Sequence, residues 1–98
     1  MKGGKLAKVV LQLYVTGWTP QSDAALRNVK GLFKSLNAPY SLEVIDLLRD
    51  PDVAESERVI ATPMLVKRSP LPVRRIVGDL SEKDELLEGL GLEGSRAG

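Results

Sequence analysis

The sequence contains no cysteine and no histidine. Without cysteine, the chain cannot form disulfides, thiolate nucleophiles or cysteine-ligated metal sites. Without histidine, it lacks the usual general base of serine and cysteine nucleophile systems and the commonest metal ligand. These two absences argue strongly against an enzyme and against a bound metal or other cofactor. A function based on binding is therefore the leading expectation.

The chain also has few aromatic residues, little net charge and no long apolar run. The 98 residues include one Trp, one Phe and two Tyr, and the formal net charge is +1. So small a charge gives no support for nucleic-acid binding. No apolar run is long enough for a membrane span or a signal peptide, so the default location is the cytoplasm. The length predicts one domain over 1–98, with flexible ends at about 1–7 and 93–98.

The first half of the chain predicts a strand, a helix and a second strand. One face of residues 9–15 is fully apolar, and the other holds Val10, Gln12 and Tyr14 and is expected to be covered too, as in a central strand. Thr19 before Pro20 is a favourable helix start, and apolar residues then recur at helical spacing until about residue 36. A second strand is predicted at 41–46, and such a unit normally forms a parallel pair. The apolar face of that strand is expected to comprise Leu42 and Val44, extended by Leu47.

The second half predicts a short helix, a hairpin and a last helix. Asp50 before Pro51 repeats the favourable helix start, and the acidic helix should run to about Arg58. Residues 63–68 and 73–77 predict two strands, close enough in sequence to form an antiparallel hairpin. Ser81 opens a capping-box-like start for the last helix, whose end is weakened by glycines.

The resulting order, β-α-β-α-β-β-α, is that of a thioredoxin-like α/β fold. Thr62-Pro63 occupies the place where that fold has a cis-proline before its third strand. In redox members a Cys-x-x-Cys motif follows the first strand, but here the turn at 17–22 contains no residue able to carry thiol chemistry. The match is one of topology, so it predicts the fold and not a redox activity.

Several segments also resemble the KaiB family of circadian-clock proteins. The most specific is Pro70-Leu71-Pro72-Val73-Arg74-Arg75-Ile76-Val77-Gly78-Asp79-Leu80-Ser81. Further matching segments occur in the right order at 13–22, 44–48, 61–63 and 86–90. The resemblance implies a non-enzymatic regulator that binds the ring-shaped ATPase KaiC in a circadian or timing system.

The resemblance further implies basic residues at the contact with KaiC. Those that match here are Arg58, Lys67, Arg74 and Arg75. Arg suits bidentate pairing with carboxylates on a partner. The alternative interpretation is that these cations form a solvated face of the hairpin. Because successive side chains of a strand point to opposite faces, at most one of Arg74 and Arg75 should face a given partner.

KaiB-family proteins are known for two folds, a ground-state fold, usually tetrameric, and a thioredoxin-like fold that binds KaiC. The half after about residue 50 changes between helix and strand. The resemblance therefore implies a homo-oligomer, a dimer or tetramer, in the ground state. Prolines and glycines give that half the freedom to rearrange, and proline isomerisation would make the exchange slow. The residues concerned are Pro63, Pro70, Pro72, Gly89 and Gly91.

The chain departs from cyanobacterial family members at several positions. Ala24 and Glu43 stand where those members tend to have basic residues, and Trp18 replaces a small polar residue. Gly91 and Gly94 stand where an acidic residue and an aromatic are usual, and the long acidic tail is missing. These departures indicate a homologue from outside the core cyanobacterial clock.

Two other functions remain open from the residues. One is a thioredoxin-like adaptor in stress or two-component signalling, similar to the KaiB-like sensor domain of a histidine kinase. The other is acid/base catalysis by Asp46, Asp79 or Glu82, for which strand-end and helix-cap roles are the favoured alternative. Trp18 is either a partner contact or, in the favoured interpretation, packed on the adjacent helix. Tyr14 and Tyr40 are expected to be core or subunit-contact residues.

Overall fold

The computed structural model describes residues 8–92, which form a four-stranded sheet and three helices. The strands are β1 (Val9–Val15), β2 (Tyr40–Asp46), β3 (Met64–Ser69) and β4 (Arg74–Val77). The helices are α1 (Pro20–Leu36), α2 (Pro51–Ser56) and α3 (Lys83–Gly89). The predicted order of elements is confirmed. The expectation about the chain ends, at 1–7 and 93–98, lies outside the described residues.

The sheet has the strand order β2-β1-β3-β4. β1 and β2 are parallel, as predicted from the intervening helix, and β3 pairs antiparallel with both β1 and β4. The predicted hairpin is therefore confirmed. Because β1 and β2 run the same way, the loops after both strands meet at one edge of the sheet.

The two faces of the sheet bury separate apolar clusters. α1 and α3 cover one face, where Leu11, Leu13 and Leu65 of the sheet are at most 1% exposed. α2 covers part of the other face, over a smaller cluster of Tyr14, Leu47, Met64 and Val66. Tyr14 is a core residue, as expected. Tyr40 lies half-buried and stacks on Phe33 with ring centroids 4.9 Å apart.

The placement of Leu47 on the face of Leu42 and Val44 is wrong. Leu42 and Val44 pack towards α1 and α3, but Leu47 joins the cluster beneath α2. Side chains alternate along a strand, so residues an odd number of positions apart point to opposite faces. Leu47 is moreover the first residue past the end of β2.

The helix starts agree with the sequence only in part. Thr19 caps α1 as predicted, since its Oγ1 accepts a hydrogen bond from the backbone N of Ser22 at 3.1 Å. Asp50 precedes α2 but forms no side-chain capping bond. The capping box at Ser81 is wrong, because Glu82 occupies the N-cap position of α3, again without a side-chain capping bond. Within residues 8–92, no helix has the length and apolar character needed to cross a membrane.

Candidate partner-binding surface

The β3–β4 hairpin carries three of the four candidate cations, and its register separates them into two groups. Lys67 lies directly opposite Arg74, while Arg75 lies opposite Val66. Lys67 is also paired with Leu11, which faces α1 and α3, so Lys67 and Arg74 share that face. Arg75 points to the α2 face. The expected division of Arg74 and Arg75 between opposite faces is confirmed.

Lys67 is a buried cation, with only 1% of the residue exposed. Its burial, together with the positive charge of Arg74, lowers the pKa of Lys67 below its usual value. Within residues 8–92, no carboxylate lies within ion-pair distance of its ammonium. Burying an ammonium without a carboxylate partner costs stability.

Arg74 is exposed and lies against the chain that follows α3. Gly91 has a φ of +71°, and a Cβ added there would lie 3.4 Å from Nε of Arg74. An added Cβ would only touch the guanidinium, so it is the left-handed turn that requires Gly91. This turn gives Gly91 a local role in the fold described here.

Arg75 and Arg58 adjoin the end of α2 on the opposite face. Nη1 of Arg75 donates a hydrogen bond to the backbone oxygen of Glu57 at 2.8 Å. Arg58 follows Glu57, is exposed, and has a φ of +55°, a conformation that favours glycine. The four cations thus form two pairs on opposite faces rather than one surface.

The other proline and glycine candidates occupy the turns and ends of the second half. Pro63 is buried immediately before β3, and Pro70 and Pro72 lie in the turn between β3 and β4. The bonds preceding all three prolines are cis. Gly89 is the last residue of α3, and an added Cβ there would come within 2.6 Å of Cδ1 of Ile76. Gly89 therefore permits the close approach of α3 to β4.

A polar network that the sequence did not predict joins the sheet to α2. Nη2 of Arg68 donates to the Glu57 carboxylate in an ion pair and to the Tyr14 hydroxyl at 3.0 Å. Nε of Arg68 donates to Oε1 of Gln12 at 2.6 Å. Desolvation alone would lower the pKa of Arg68, but its bonds to Glu57 and Tyr14 outweigh this and raise it. The partners lie 11 to 56 positions apart in the sequence, so no local pattern could have revealed them.

The loops after β1 and β2 are tied together by Asp46. Its Oδ1 accepts hydrogen bonds from the backbone N of Gly17 and of Leu48, each at 3.0 Å. These two bonds lower the pKa of Asp46 below its usual value. Thr16 and Thr62 join this edge to the segment before β3 through a hydroxyl–hydroxyl hydrogen bond of 2.9 Å. Asp46 therefore has the strand-end role that the sequence favoured over acid/base catalysis.

Exposed apolar side chains lie in the loops after β1 and β2 and in the segment before β3. Trp18 is 58% exposed, Leu48 67% and Ile60 91%. The favoured expectation that Trp18 packs on the adjacent helix is wrong, because its ring lines a shallow groove with the end of β2. Sequence reasoning missed Leu48 and Ile60. The sequence feature that could have identified them is an apolar residue in a loop between two predicted elements.

The remaining carboxylates also have structural positions. Oδ1 of Asp79 accepts a hydrogen bond from the backbone N of Ser81 at 3.1 Å, and Glu82 is exposed at the N-cap of α3. Within residues 8–92, no three acidic side chains converge in a group able to hold a metal ion.

The model of the KaiB domain matches residues 12–92 of the chain. The chain belongs to the KaiB family. It is 48% identical over 84 residues to the circadian clock oscillator protein KaiB of Synechococcus elongatus, an alignment that covers 85% of the chain and 82% of that relative. The KaiB of Prochlorococcus marinus is 45% identical over 84 residues, with 85% of the chain and 71% of the relative covered. This membership supports the expectation that the KaiB-family chain is not an enzyme.

Solved structures confirm the thioredoxin-like fold of this KaiB-family chain. The N-terminal domain of Synechococcus elongatus SasA is similar at a TM-score of 0.75 and 29% identity, covering 100% of the chain and 95% of that domain. Chloroplastic thioredoxin z is similar at a TM-score of 0.68 and 17% identity, covering 93% and 80% of the two chains. The likeness to thioredoxin z concerns the fold alone.

Proposed function

We propose that this KaiB-family chain is a non-enzymatic regulator of a circadian or timing system that binds a KaiC-type ATPase ring. The observation that carries the proposal is the 48% identity to a circadian clock oscillator protein over most of both chains. Arg58, Lys67, Arg74 and Arg75 are the proposed contact residues. They lie in or beside the hairpin, and Arg74 and Arg75 belong to the segment at 70–81 that is most specific for the family.

The charges on the hairpin support a partner that supplies carboxylates. Lys67 and Arg74 are neighbouring cations on one face, and neither has an ion-pair partner within residues 8–92. A carboxylate from a partner would accept hydrogen bonds from the exposed guanidinium of Arg74. The exposed apolar side chains Trp18, Leu48 and Ile60 provide a second surface suited to protein contact.

The proposal includes a second, oligomeric fold of the same chain, with the segment after about residue 50 rearranged. The support is the family membership, together with the prolines and glycines of that segment. Size-exclusion chromatography with light scattering tests the homo-oligomer directly. A concentration-independent monomer, with one set of amide resonances over days, would contradict this part of the proposal.

The binding experiment uses Arg75→Glu and the KaiC hexamer from the same source, loaded with ATP and immobilised for biolayer interferometry. Reversing the charge of a contact arginine should weaken binding by about tenfold or more. Lys34→Glu is the matched control, since it makes the same charge change at an exposed position of α1. Equal affinities for Arg75→Glu and the wild type would remove Arg75 from the interface. No binding of the wild-type chain would refute the proposed function.

A second candidate is a thioredoxin-like adaptor in stress or two-component signalling. The likeness to the SasA N-terminal domain, at 29% identity over the whole chain, favours it. A pull-down with the KaiC hexamer and with the histidine kinases of the source organism separates the two candidates. Retention by a kinase and not by KaiC would favour the adaptor.

A further inference from the structure

Helix α2 is held to the rest of the molecule by little apolar surface. It has six residues, none of them fully buried, and its N-cap residue makes no side-chain capping bond. Only Val53 and Ala54 of the helix, with Val59 just beyond it, pack on the cluster beneath. A helix of this length is not stable by itself in water, so its position depends on what holds its ends.

Two arginines of the hairpin form hydrogen bonds with the C-terminal end of α2. Arg68 of β3 binds the carboxylate of Glu57, and Arg75 of β4 binds the backbone oxygen of the same residue. One residue therefore connects α2 to both strands. The ion pair is partly exposed to solvent, with 30% of the Arg68 side chain and 35% of the Glu57 side chain accessible.

Residues other than Glu57 also orient the Arg68 guanidinium. Gln12 and Tyr14 of β1 accept hydrogen bonds from it at 2.6 and 3.0 Å, and the Tyr14 hydroxyl donates in turn to Gln12 at 3.2 Å. Because these contacts fix the receiving group, Glu57 can bind or leave without reordering the sheet. The guanidinium of Arg68 thus belongs to the sheet, and the carboxylate of Glu57 belongs to the end of the weakly attached helix.

The surface covered by α2 is strongly apolar. Met64 and Val66 of β3 are at most 2% exposed, and Tyr14 is 1% exposed. Removal of α2 would uncover these side chains while leaving the cluster under α1 and α3 intact, since the two clusters lie on opposite faces.

We propose that α2 is a strap, fastened by Glu57 to Arg68 and Arg75, which opens as a unit and uncovers the apolar face beneath it while the four-stranded sheet stays folded. The opening is local, and it requires no partner. It gives the molecule a further apolar surface, whose exposure depends on the contacts of Glu57 with Arg68 and Arg75.

Amide hydrogen exchange measured by NMR tests this, with the wild type, Glu57→Gln and Glu55→Gln compared. The reporters are the amides of Glu57, Arg58 and Val59, whose hydrogen bonds close the end of α2. Removal of the charge from this solvent-screened pair should accelerate their exchange by about two- to fivefold in Glu57→Gln. Glu55→Gln removes the same charge from the same helix at an exposed position and should leave the rates unchanged.

The amides of β1 distinguish local opening from general destabilisation. They should exchange at the wild-type rate in both variants, because the sheet does not open with the strap. Equal acceleration of the β1 amides and the α2 reporters would overturn the proposal, as would equal effects of Glu57→Gln and Glu55→Gln. Tyr14→Phe provides a second test, since it removes one group that orients Arg68. It should accelerate the α2 reporters by about threefold, and an unchanged rate would also count against the strap.

Discussion

Replacing Lys67 by Met should make the protein more stable. Methionine keeps a long, unbranched side chain in the same buried position, where only 1% of the lysine residue is exposed. It removes an ammonium that has Arg74 directly opposite and no carboxylate partner within residues 8–92. The change in stability therefore comes mainly from abolishing an unmatched charge rather than from altered packing.

The expected gain is about 1 kcal/mol in the free energy of unfolding. Burial disfavours the charged form of Lys67, and the facing cation of Arg74 adds repulsion. The gain stays near 1 kcal/mol because Arg74 is exposed, so water screens the two cations. With a urea m-value of about 1–2 kcal/mol/M for a chain of this size, the midpoint should rise by about 0.5–1 M. Far-UV circular dichroism during urea unfolding measures it.

The pH dependence of the same experiment has a defined sign. The pKa of Lys67 is lower in the folded chain than its usual value of 10.5, so the unfolded chain binds more protons between the two values. Wild-type stability should therefore rise as the pH increases towards 10.5, and this contribution should be absent from Lys67→Met.

Lys34→Met is the control for the loss of a positive charge. Lys34 is exposed in the last turn of α1, where a cation interacts favourably with the helix dipole. Its replacement should lower stability slightly, by up to about 0.5 kcal/mol. If Lys67→Met lowers the urea midpoint as Lys34→Met does, the interpretation of Lys67 as an unmatched buried cation is wrong.

Two further substitutions test the fold around the binding surface. Gly31→Ala should stabilise the protein by about 1 kcal/mol, or about 4–8 °C in Tm, because Gly31 lies inside α1 with no atom within 4 Å of an added Cβ; an unchanged or lower Tm by circular dichroism would contradict this. Asp46→Asn should lower stability at neutral pH, since the carboxylate accepts two backbone hydrogen bonds. Because the pKa of Asp46 is lowered from 3.8, the wild type should lose this contribution as the pH falls through that range, so identical acid-unfolding curves for the two proteins would refute it.

The order and type of the elements followed from local sequence patterns, and the errors concerned single side chains, namely those of Leu47, Ser81 and Trp18. Thr19 caps its own helix because the bonded amide lies three residues away. Ser81 met the local requirement for a cap, but Leu80, buried and with a φ of +62°, directs the chain into the core before α3 begins. The burial of Lys67 and the exposure of Trp18 depend equally on what the rest of the chain places beside them.

The sequence by itself determined the family, the order of strands and helices, and the absence of thiol and imidazole chemistry. Composition, periodicity and motif spacing can all be read along the chain without knowing which distant residues meet. Only the tertiary structure decided that Lys67 shares a face with Arg74 and that Glu57 fastens α2 to the hairpin. Those arrangements follow from strand register, in which a shift of one residue would send each side chain to the opposite face.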